Sequence, residues 1–179
     1  GVKNVCMQIL TCGGSLRALL SNRAVLRAYE KLASPSMTFE HYEEVGTLPH
    51  FNPDLDGVTV PDEVATLRRK VALSNVLVIS TPEYVHALPG SFKNLLDWLV
   101  SDPTFAGKPV VILHVLRGSN WALDSLKEVL RTMSARTIEK ASVSLPLNSN
   151  QIDEHTILAR DDLRELLQGS IDTLKTEME

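Results

Sequence analysis

The sequence has no surplus of positive charge and no long apolar run. Its 179 residues carry 18 Lys and Arg against 22 Asp and Glu, a formal net charge of −4. Binding to nucleic acid or to a membrane surface needs a cationic patch, so neither partner is expected. The apolar runs stop at about ten residues, too few to span a bilayer. No basic leader with a cleavage site opens the chain, which predicts a cytoplasmic protein.

Cysteine is scarce, and familiar catalytic and metal-binding motifs are missing. Cys6 and Cys12 lie on or just after one predicted strand, about 20 Å apart, beyond the reach of a disulfide. The five histidines show neither H-E-x-x-H spacing nor a C-x-x-C partner, so no metal site is predicted. The absence of G-x-S-x-G argues against a hydrolase. The chain also lacks the P-loop motif of triphosphate-binding proteins and the G-x-G-x-x-G motif of the Rossmann fold, so neither kind of nucleotide site is predicted. No catalytic side chain is assigned.

Strand-like and helix-like segments alternate along what we expect to be a single domain, residues 1–179. Hydrophobic residues make up 44% and charged residues 22%, as in globular proteins. This alternation predicts an α/β fold, with a parallel sheet between two layers of helices. The predicted strands are Val5–Leu10, Thr38–Glu44 (at an edge), Asn75–Ser80, Val110–Val115 and Thr137–Leu145. The predicted helices are Leu16–Leu32, Pro61–Leu73, Gly90–Val100, Asn120–Ser134 and Glu154–Lys175.

The loop after the first strand carries the features of a phosphate site. Ligands of such folds bind beyond the carboxyl ends of the strands, here at loops 11–17, 81–89 and 116–121. Gly13 and Gly14 let backbone N–H groups approach an anion closely. Hydroxyl, amide and guanidinium donors follow at Ser15, Arg17, Ser21 and Asn22. The alternative is a tight turn followed by a solvated arginine.

The loop after the third strand is rigid and aromatic. Pro82, Tyr84 and Pro89 give it a shelf on which a flat ring could lie. The helix that follows, 90–100, is apolar on more than one face. Such a helix belongs either in the protein core or at an interface between copies of the chain, and the pattern leaves both open.

Three segments together resemble the NADPH-dependent FMN reductase family, which includes quinone, chromate and azo-dye reductases. They are G-G-S-L-R…S-N, P-E-Y, and P-G-S-F-K-N-L-L-D-W-L, and the element order matches over nearly the whole chain. The resemblance implies a flavodoxin-like three-layer sandwich with five parallel strands in the order 2-1-3-4-5. It also implies non-covalent FMN, NAD(P)H as a transient co-substrate, and a quinone, free flavin or similar small molecule as electron acceptor. A homodimer or homotetramer formed through helix 90–101 is expected.

The same resemblance assigns residues to the flavin. Ser15, Arg17, Ser21 and Asn22 match positions that hold the FMN phosphate, and Pro82, Glu83 and Tyr84 match the loop against the isoalloxazine ring. In the loop after the fourth strand, Gly118 remains from a glycine-rich stretch beside the flavin. Arg117 is predicted near the N1–C2=O edge of the ring, where a cation favours the reduced, anionic flavin; otherwise it is an exposed loop arginine.

Two loops depart from the family pattern. After Tyr84 the family usually carries Asn and then a small polar residue, whereas this chain has Val85-His86-Ala87. In the other loop, 116–121, a bulky Trp121 follows the single glycine. These departures keep two alternatives open, a flavodoxin-like electron carrier and a non-enzymatic member with a degraded flavin site.

Overall fold

The computed structural model describes residues 6–13, 21–148 and 152–179. Within these ranges strands and helices alternate, as the sequence predicts. The strands are β1 (Met7–Gly13), β2 (Met37–Tyr42), β3 (Val76–Ser80), β4 (Pro109–Leu116), β5 (Arg136–Thr137) and β6 (Val143–Pro146). The helices are α1 (Ser21–Ala33), α2 (Asp62–Leu73), α3 (Gly90–Val100), α4 (Trp121–Thr132), α5 (Glu154–Ala159) and α6 (Asp161–Glu177).

The described strands form one parallel sheet, in the order β2-β1-β3-β4-β5, and β6 also pairs with β4. This confirms the predicted flavodoxin-like order. The chain runs from β1 to one edge and then returns to the other side of β1 at β3. That reversal opens a crevice beyond the carboxyl ends of β1 and β3, where ligands of such sheets bind.

Helices cover both faces because successive strand side chains point to opposite sides of the sheet. In β3, Leu77 and Ile79 join the cluster formed with α2, α3 and α4, whereas Val76 and Val78 join the cluster formed with α1, α5 and α6. All four side chains are fully buried. The site at the strand ends therefore stands on a rigid, two-sided core.

Two predicted elements need correction. The last strand is not continuous over 137–145: a 3-10 turn, Glu139–Ala141, divides it into β5 and β6. Val110 of β4 pairs with Thr137, and Leu113 of β4 pairs with Val143. Three steps along β4 thus correspond to six steps along the partner segment, which leaves extra residues between β5 and β6. The Ser142 hydroxyl bridges the extra residues, accepting from the Ile112 N–H at 3.0 Å and donating to the Ile138 carbonyl at 2.9 Å.

The last helix is likewise broken, at Arg160. This residue has extended backbone angles, φ −89° and ψ 115°, and ends α5 before α6 begins. Its guanidinium pairs with Asp162 in the first turn of α6, at 2.7 Å. The acidic first turn of α6 therefore starts a second helix where the sequence pattern predicts one continuous helix.

The apolar residues of α3 lie in the core of the chain itself. Five of its side chains are buried: Phe92, Leu95, Leu96, Trp98 and Leu99. The Trp98 indole N–H donates to the Pro49 carbonyl at 2.8 Å, and its ring meets Phe51 edge-on with centroids 4.9 Å apart. Core packing therefore explains the apolar pattern of this helix, and an interface through it stays a prediction.

Both cysteines are free, and Cys12 is buried. Burial raises the pKa of the Cys12 thiol to about 12, so it stays protonated and unreactive at neutral pH. Among the described residues no group of His, Cys, Asp and Glu has the arrangement of a metal site. No helix in the described ranges is long and apolar enough to cross a membrane.

Candidate functional site

A cavity of about 260 Å³ opens beyond the carboxyl ends of β1, β3 and β4. It lies at the reversal of strand order, where the fold predicts a ligand site. Two of the three loops that sequence analysis singled out, those after β3 and β4, contribute to it, and so does the start of α1. The described lining residues are Ser21, Asn22, Thr81, Pro82, Glu83, Tyr84, His114, Val115, Arg117, Ser119 and Ala122.

The start of α1 and the end of β3 bring together three buried polar side chains. We call Ser21, Asn22 and Ser80 the floor; their exposed fractions are 2%, 4% and 1%. The Asn22 side-chain amide donates to the Ser80 hydroxyl at 3.0 Å, which fixes the amide at the carboxyl end of β3. Buried polar groups are tolerated where they are hydrogen-bonded, so the floor is a preorganised set of neutral donors.

The Glu83 carboxylate ties together two of the loops around the cavity. One oxygen accepts from the Ser119 hydroxyl at 2.6 Å, and the other accepts from the Ala122 N–H at 2.9 Å, in the first turn of α4. The hydrogen bond from Ser119, assisted by that from Ala122, lowers the pKa of Glu83. A carboxylate is favourable at a helix N-terminus, so Glu83 both caps α4 and fixes the loop after β3.

The loop after Tyr84 forms a tight turn. The backbone N–H and C=O groups of Tyr84 and Ala87 bond to each other, at 2.8 and 2.9 Å. The two residues between them are left-handed, with φ of 50° at Val85 and 56° at His86. The His86 ring stacks on Trp121, the first residue of α4, with centroids 5.5 Å apart and planes 23° apart. We call residues 83–87 and 116–122 together the rim.

Two of the described lining residues are charged, with opposite signs. Arg117 contributes an exposed guanidinium, and Glu83 contributes a carboxylate that accepts hydrogen bonds from two neutral donors. Burial lowers the pKa of His114 below its usual 6.5, against the opposing effect of Glu83. Its Nδ1 lies 3.2 Å from the Ser144 hydroxyl. At neutral pH His114 is therefore an uncharged group in the wall.

The structure brings together six of the nine residues that the sequence assigned to the cofactor. Ser21, Asn22, Pro82, Glu83, Tyr84 and Arg117 all line the cavity. Ser15 and Arg17 lie outside the described residues. Gly118 sits on the loop after β4 but is absent from the described lining. Its φ of +99° explains why a glycine stands there.

Five lining residues were not assigned to the cofactor, although two of them, Thr81 and Ser119, lie in loops where a ligand was expected; the five are Thr81, His114, Val115, Ser119 and Ala122. His114 was interpreted as one of several scattered histidines. The signal that could have found it is its place near the end of a buried parallel strand, two residues before the loop. Ser119 and Ala122 carry no motif of their own, and their role becomes visible only through their bonds to Glu83.

The family model for the NADPH-dependent FMN reductases matches residues 7–149, most of the chain. This chain belongs to that family. It is accordingly an oxidoreductase of the NAD(P)H-dependent FMN reductase and quinone reductase type, as the resemblance implied. Members of this family are linked to flavin and reduce small-molecule acceptors.

Individual family members are similar over nearly their whole length. An NAD(P)H-dependent FMN reductase of Pseudomonas aeruginosa is 29% identical, covering 94% of both chains. A quinone reductase of Escherichia coli is also 29% identical, covering 96% of this chain and 92% of that protein. The solved structure of the flavoenzyme NAD(P)H:(acceptor) oxidoreductase FerB from Paracoccus denitrificans superposes with a TM-score of 0.73 at 25% identity, covering 96% of this chain and 97% of that one.

Proposed function

We propose that residues 1–179 form a single domain that binds FMN non-covalently in this cavity. The domain would use NAD(P)H as a transient co-substrate and reduce a quinone, free flavin or similar small acceptor. The observation that carries the proposal is the convergence of six sequence-assigned residues on one cavity at the strand-order reversal. The donor chemistry fits the cofactor, because neutral hydrogen-bond donors stand at one end and an arginine at another.

At the phosphate end, the Ser21 hydroxyl and the Asn22 amide would hold phosphate oxygens, together with Ser15 and Arg17. The bond from Asn22 to Ser80 leaves the second amide proton of Asn22 for a ligand. Since the floor is buried and already oriented, little ordering is needed when a phosphate binds. The Arg17 guanidinium would neutralise the phosphate charge.

At the ring end, Pro82, Glu83 and Tyr84 would place the backbone of the loop after β3 along the ring edge. Glu83 would hold that backbone through α4 rather than touch the ring, because both of its oxygens already accept hydrogen bonds. Arg117 and Gly118 would border the opposite edge. Bound FMN would supply the hydride-accepting and electron-donating chemistry, for which no described side chain is needed.

The first test is a fluorescence titration of flavin-stripped protein with FMN, using riboflavin as the control ligand. Riboflavin has the same ring but lacks the phosphate, so a phosphate site predicts saturable binding of FMN and much weaker binding of riboflavin. Equal affinity for both ligands would contradict the assigned phosphate end. Failure of both to bind would contradict the cofactor proposal itself.

The second test concerns Arg17. Arg17→Ala should weaken FMN binding at least tenfold, since hydrogen bonds between charged groups contribute about 1.5–3 kcal/mol. Arg69→Ala is the matched control, because Arg69 is exposed on α2 and absent from the described lining. Unchanged FMN affinity in Arg17→Ala, or an equal loss in Arg69→Ala, would refute the role of Arg17.

We also propose a homodimer or homotetramer in which residues 90–101 contribute to the interface. The apolar core of α3 is already buried, so the contact would use its exposed side chains, Lys93 and Val100. Val100 is an apolar residue that is 56% exposed. Val100→Glu should lower the molecular mass measured by sedimentation velocity, and an unchanged mass would contradict this interface.

A further inference from the structure

The two loops that depart from the family pattern meet in a pair of stacked rings. His86 belongs to the loop after β3, Trp121 begins α4, and their rings stack at 5.5 Å. Neither ring is among the described lining residues, but Glu83 lines the cavity and accepts from the N–H of Ala122, the residue after Trp121. The ring pair therefore belongs to the rim of the cavity.

The backbone that presents His86 is strained. A β-branched residue rarely adopts positive φ, yet Val85 has φ 50° and is fully exposed, so no burial of its own side chain compensates. Strained backbone persists where neighbouring contacts impose it, and such positions cluster at functional sites. Here the Tyr84–Ala87 hydrogen bonds and the stacking on Trp121 are the contacts that hold the turn.

Exposed apolar surface is concentrated at this rim. Eight described large apolar or aromatic residues are exposed, and four of them lie on the rim: Tyr84, Val85, Leu116 and Trp121. Trp121 is 58% exposed although His86 stacks on it, so much of the indole remains open. An exposed apolar group that adjoins a cavity is typical of a ligand-binding surface.

The charge beside these rings narrows the class of ligand. Arg117 lines the cavity and follows the exposed Leu116 in the chain, so a positive charge lies at the rim. An open indole favours a flat ring, and a guanidinium favours a carbonyl or anionic oxygen at its edge. Quinones combine these two features in a small molecule.

We propose that Trp121, backed by His86, is the stacking surface that selects a planar quinone as the second substrate at the cavity mouth. This inference rests on the proposed function, because it assigns a specificity-determining residue for the acceptor at that same site. His86 acts as a positioning residue that holds the indole in place. The strained turn at Val85 and the hydrogen bonds of Glu83 hold the loop after β3 in a fixed position against the start of α4.

The experiment measures quinone binding without turnover. Oxidised holoprotein is dialysed to equilibrium against 2,3-dimethyl-1,4-naphthoquinone in the absence of NAD(P)H; full substitution of the quinone carbons prevents addition of a cysteine thiol. Trp121→Ala should raise the Kd about tenfold and His86→Ala about threefold. Trp121→Phe retains a ring and should stay within about threefold of wild type. Val58→Ala, at a fully exposed valine outside the rim, is the control.

A second readout compares two acceptors in turnover. Ferricyanide has no flat ring to stack, so the ratio of kcat/KM for the naphthoquinone to that for ferricyanide should fall about tenfold in Trp121→Ala. If wild-type protein binds the quinone through Trp121 but fails to oxidise NAD(P)H with either acceptor, the proposed function fails while the stacking site stands.

Three outcomes would overturn the inference. The first is a Kd for Trp121→Ala within twofold of wild type, and the second is an equal loss in Val58→Ala. The third is a change of oligomeric state in Trp121→Ala, measured by sedimentation velocity, with no change in quinone affinity. That result would assign the exposed rings to a contact between copies of the chain.

Discussion

The floor and the rim of the cavity are built by opposite means. In the floor, Asn22 and Ser80 are buried, hydrogen-bonded to each other and part of the rigid junction between α1 and β3. In the rim, Val85 and His86 adopt left-handed backbone angles on an exposed turn, held by contacts with another loop. The departures from the family pattern, at residues 85–87 and 116–121, all lie in the rim. If the cavity binds the cofactor as proposed, its buried floor can be kept while the exposed rim changes.

The largest expected effect is in the floor. Asn22→Ala removes the donor to Ser80 and leaves a buried hydroxyl without that partner, which should lower the free energy of unfolding by about 1–3 kcal/mol. FMN affinity should fall as well, if Asn22 holds phosphate. Urea unfolding and FMN titration measure the two effects.

The double variant Asn22→Ala/Ser80→Ala is the control for that prediction. Removing both members of a buried hydrogen-bonded pair costs less stability than leaving one of them without its partner. The double variant should therefore be no less stable than Asn22→Ala. FMN affinity should stay low in both. A double variant with additive losses in stability would show that the two side chains do not act as a pair.

The next effect is in the rim, at Glu83. Glu83→Gln keeps the size of the side chain but offers one acceptor oxygen for two donors, Ser119 and Ala122. We expect a loss of about 1 kcal/mol in the free energy of unfolding at pH 7. Glu165→Gln, at an exposed position of α6, is the control for the same change of charge far from the rim.

The pH dependence sharpens the Glu83 prediction. Because the pKa of Glu83 is lowered in the folded protein, its stabilisation is present at neutral pH and is lost as the pH falls below about 4.5 through the folded value. The stability difference between wild type and Glu83→Gln should therefore shrink in acid. A difference that is constant from pH 7 to pH 3.5 would argue against the hydrogen bonds as its source.

A smaller effect, of opposite sign, is expected at the strained turn. Val85→Asn places a residue that tolerates left-handed angles at φ 50°, which should stabilise the protein by about 0.5–1 kcal/mol and raise Tm by about 1–4 °C. Val58→Asn, at an equally exposed valine outside the positive-φ region, should leave Tm unchanged. A lower Tm in Val85→Asn would mean that the turn carries no relievable strain.

The smallest expected effect on stability is at His114, a lining residue of the cavity that belongs to neither the floor nor the rim. Burial lowers the pKa of His114, so the unfolded chain takes up a proton first as the pH falls through 6.5, and stability decreases. In His114→Asn this decrease between pH 7 and pH 5 should be shallower by a few tenths of a kcal/mol. Thermal melts across this range test it, and parallel pH profiles would contradict it.

The sequence indicated lining residues in both the floor and the rim, but the contacts within the rim could not be predicted, for a physical reason. Ser21 and Asn22 follow a buried strand and a pair of glycines, a local pattern whose chemistry can be inferred from neighbours in the chain. The hydrogen bonds of Glu83 with Ser119 and Ala122 join residues more than thirty positions apart, and no local sequence pattern indicates them. The stacking of His86 on Trp121 was hidden for the same reason.

In the fold, too, features set by local sequence were predicted and a feature set by tertiary contacts was not. Strong local patterns placed Gly90–Val100 correctly, and the strand order followed from the family resemblance. The β-branched run near residue 140 predicted one strand, but the partner strand β4 accepts it only in two pieces. Ser142 bridges that interruption with its side chain, a tertiary contact that no propensity encodes.

Glu83 has a consequence for how this protein and its relatives vary over evolution. Since one carboxylate anchors both the turn that carries His86 and the helix start that carries Trp121, a change on either loop alters the fit of the other. Substitutions at positions 86 and 121 should therefore arise in pairs across homologues rather than independently. An aligned set of sequences would show them as a covarying pair in those homologues that retain a glutamate at position 83.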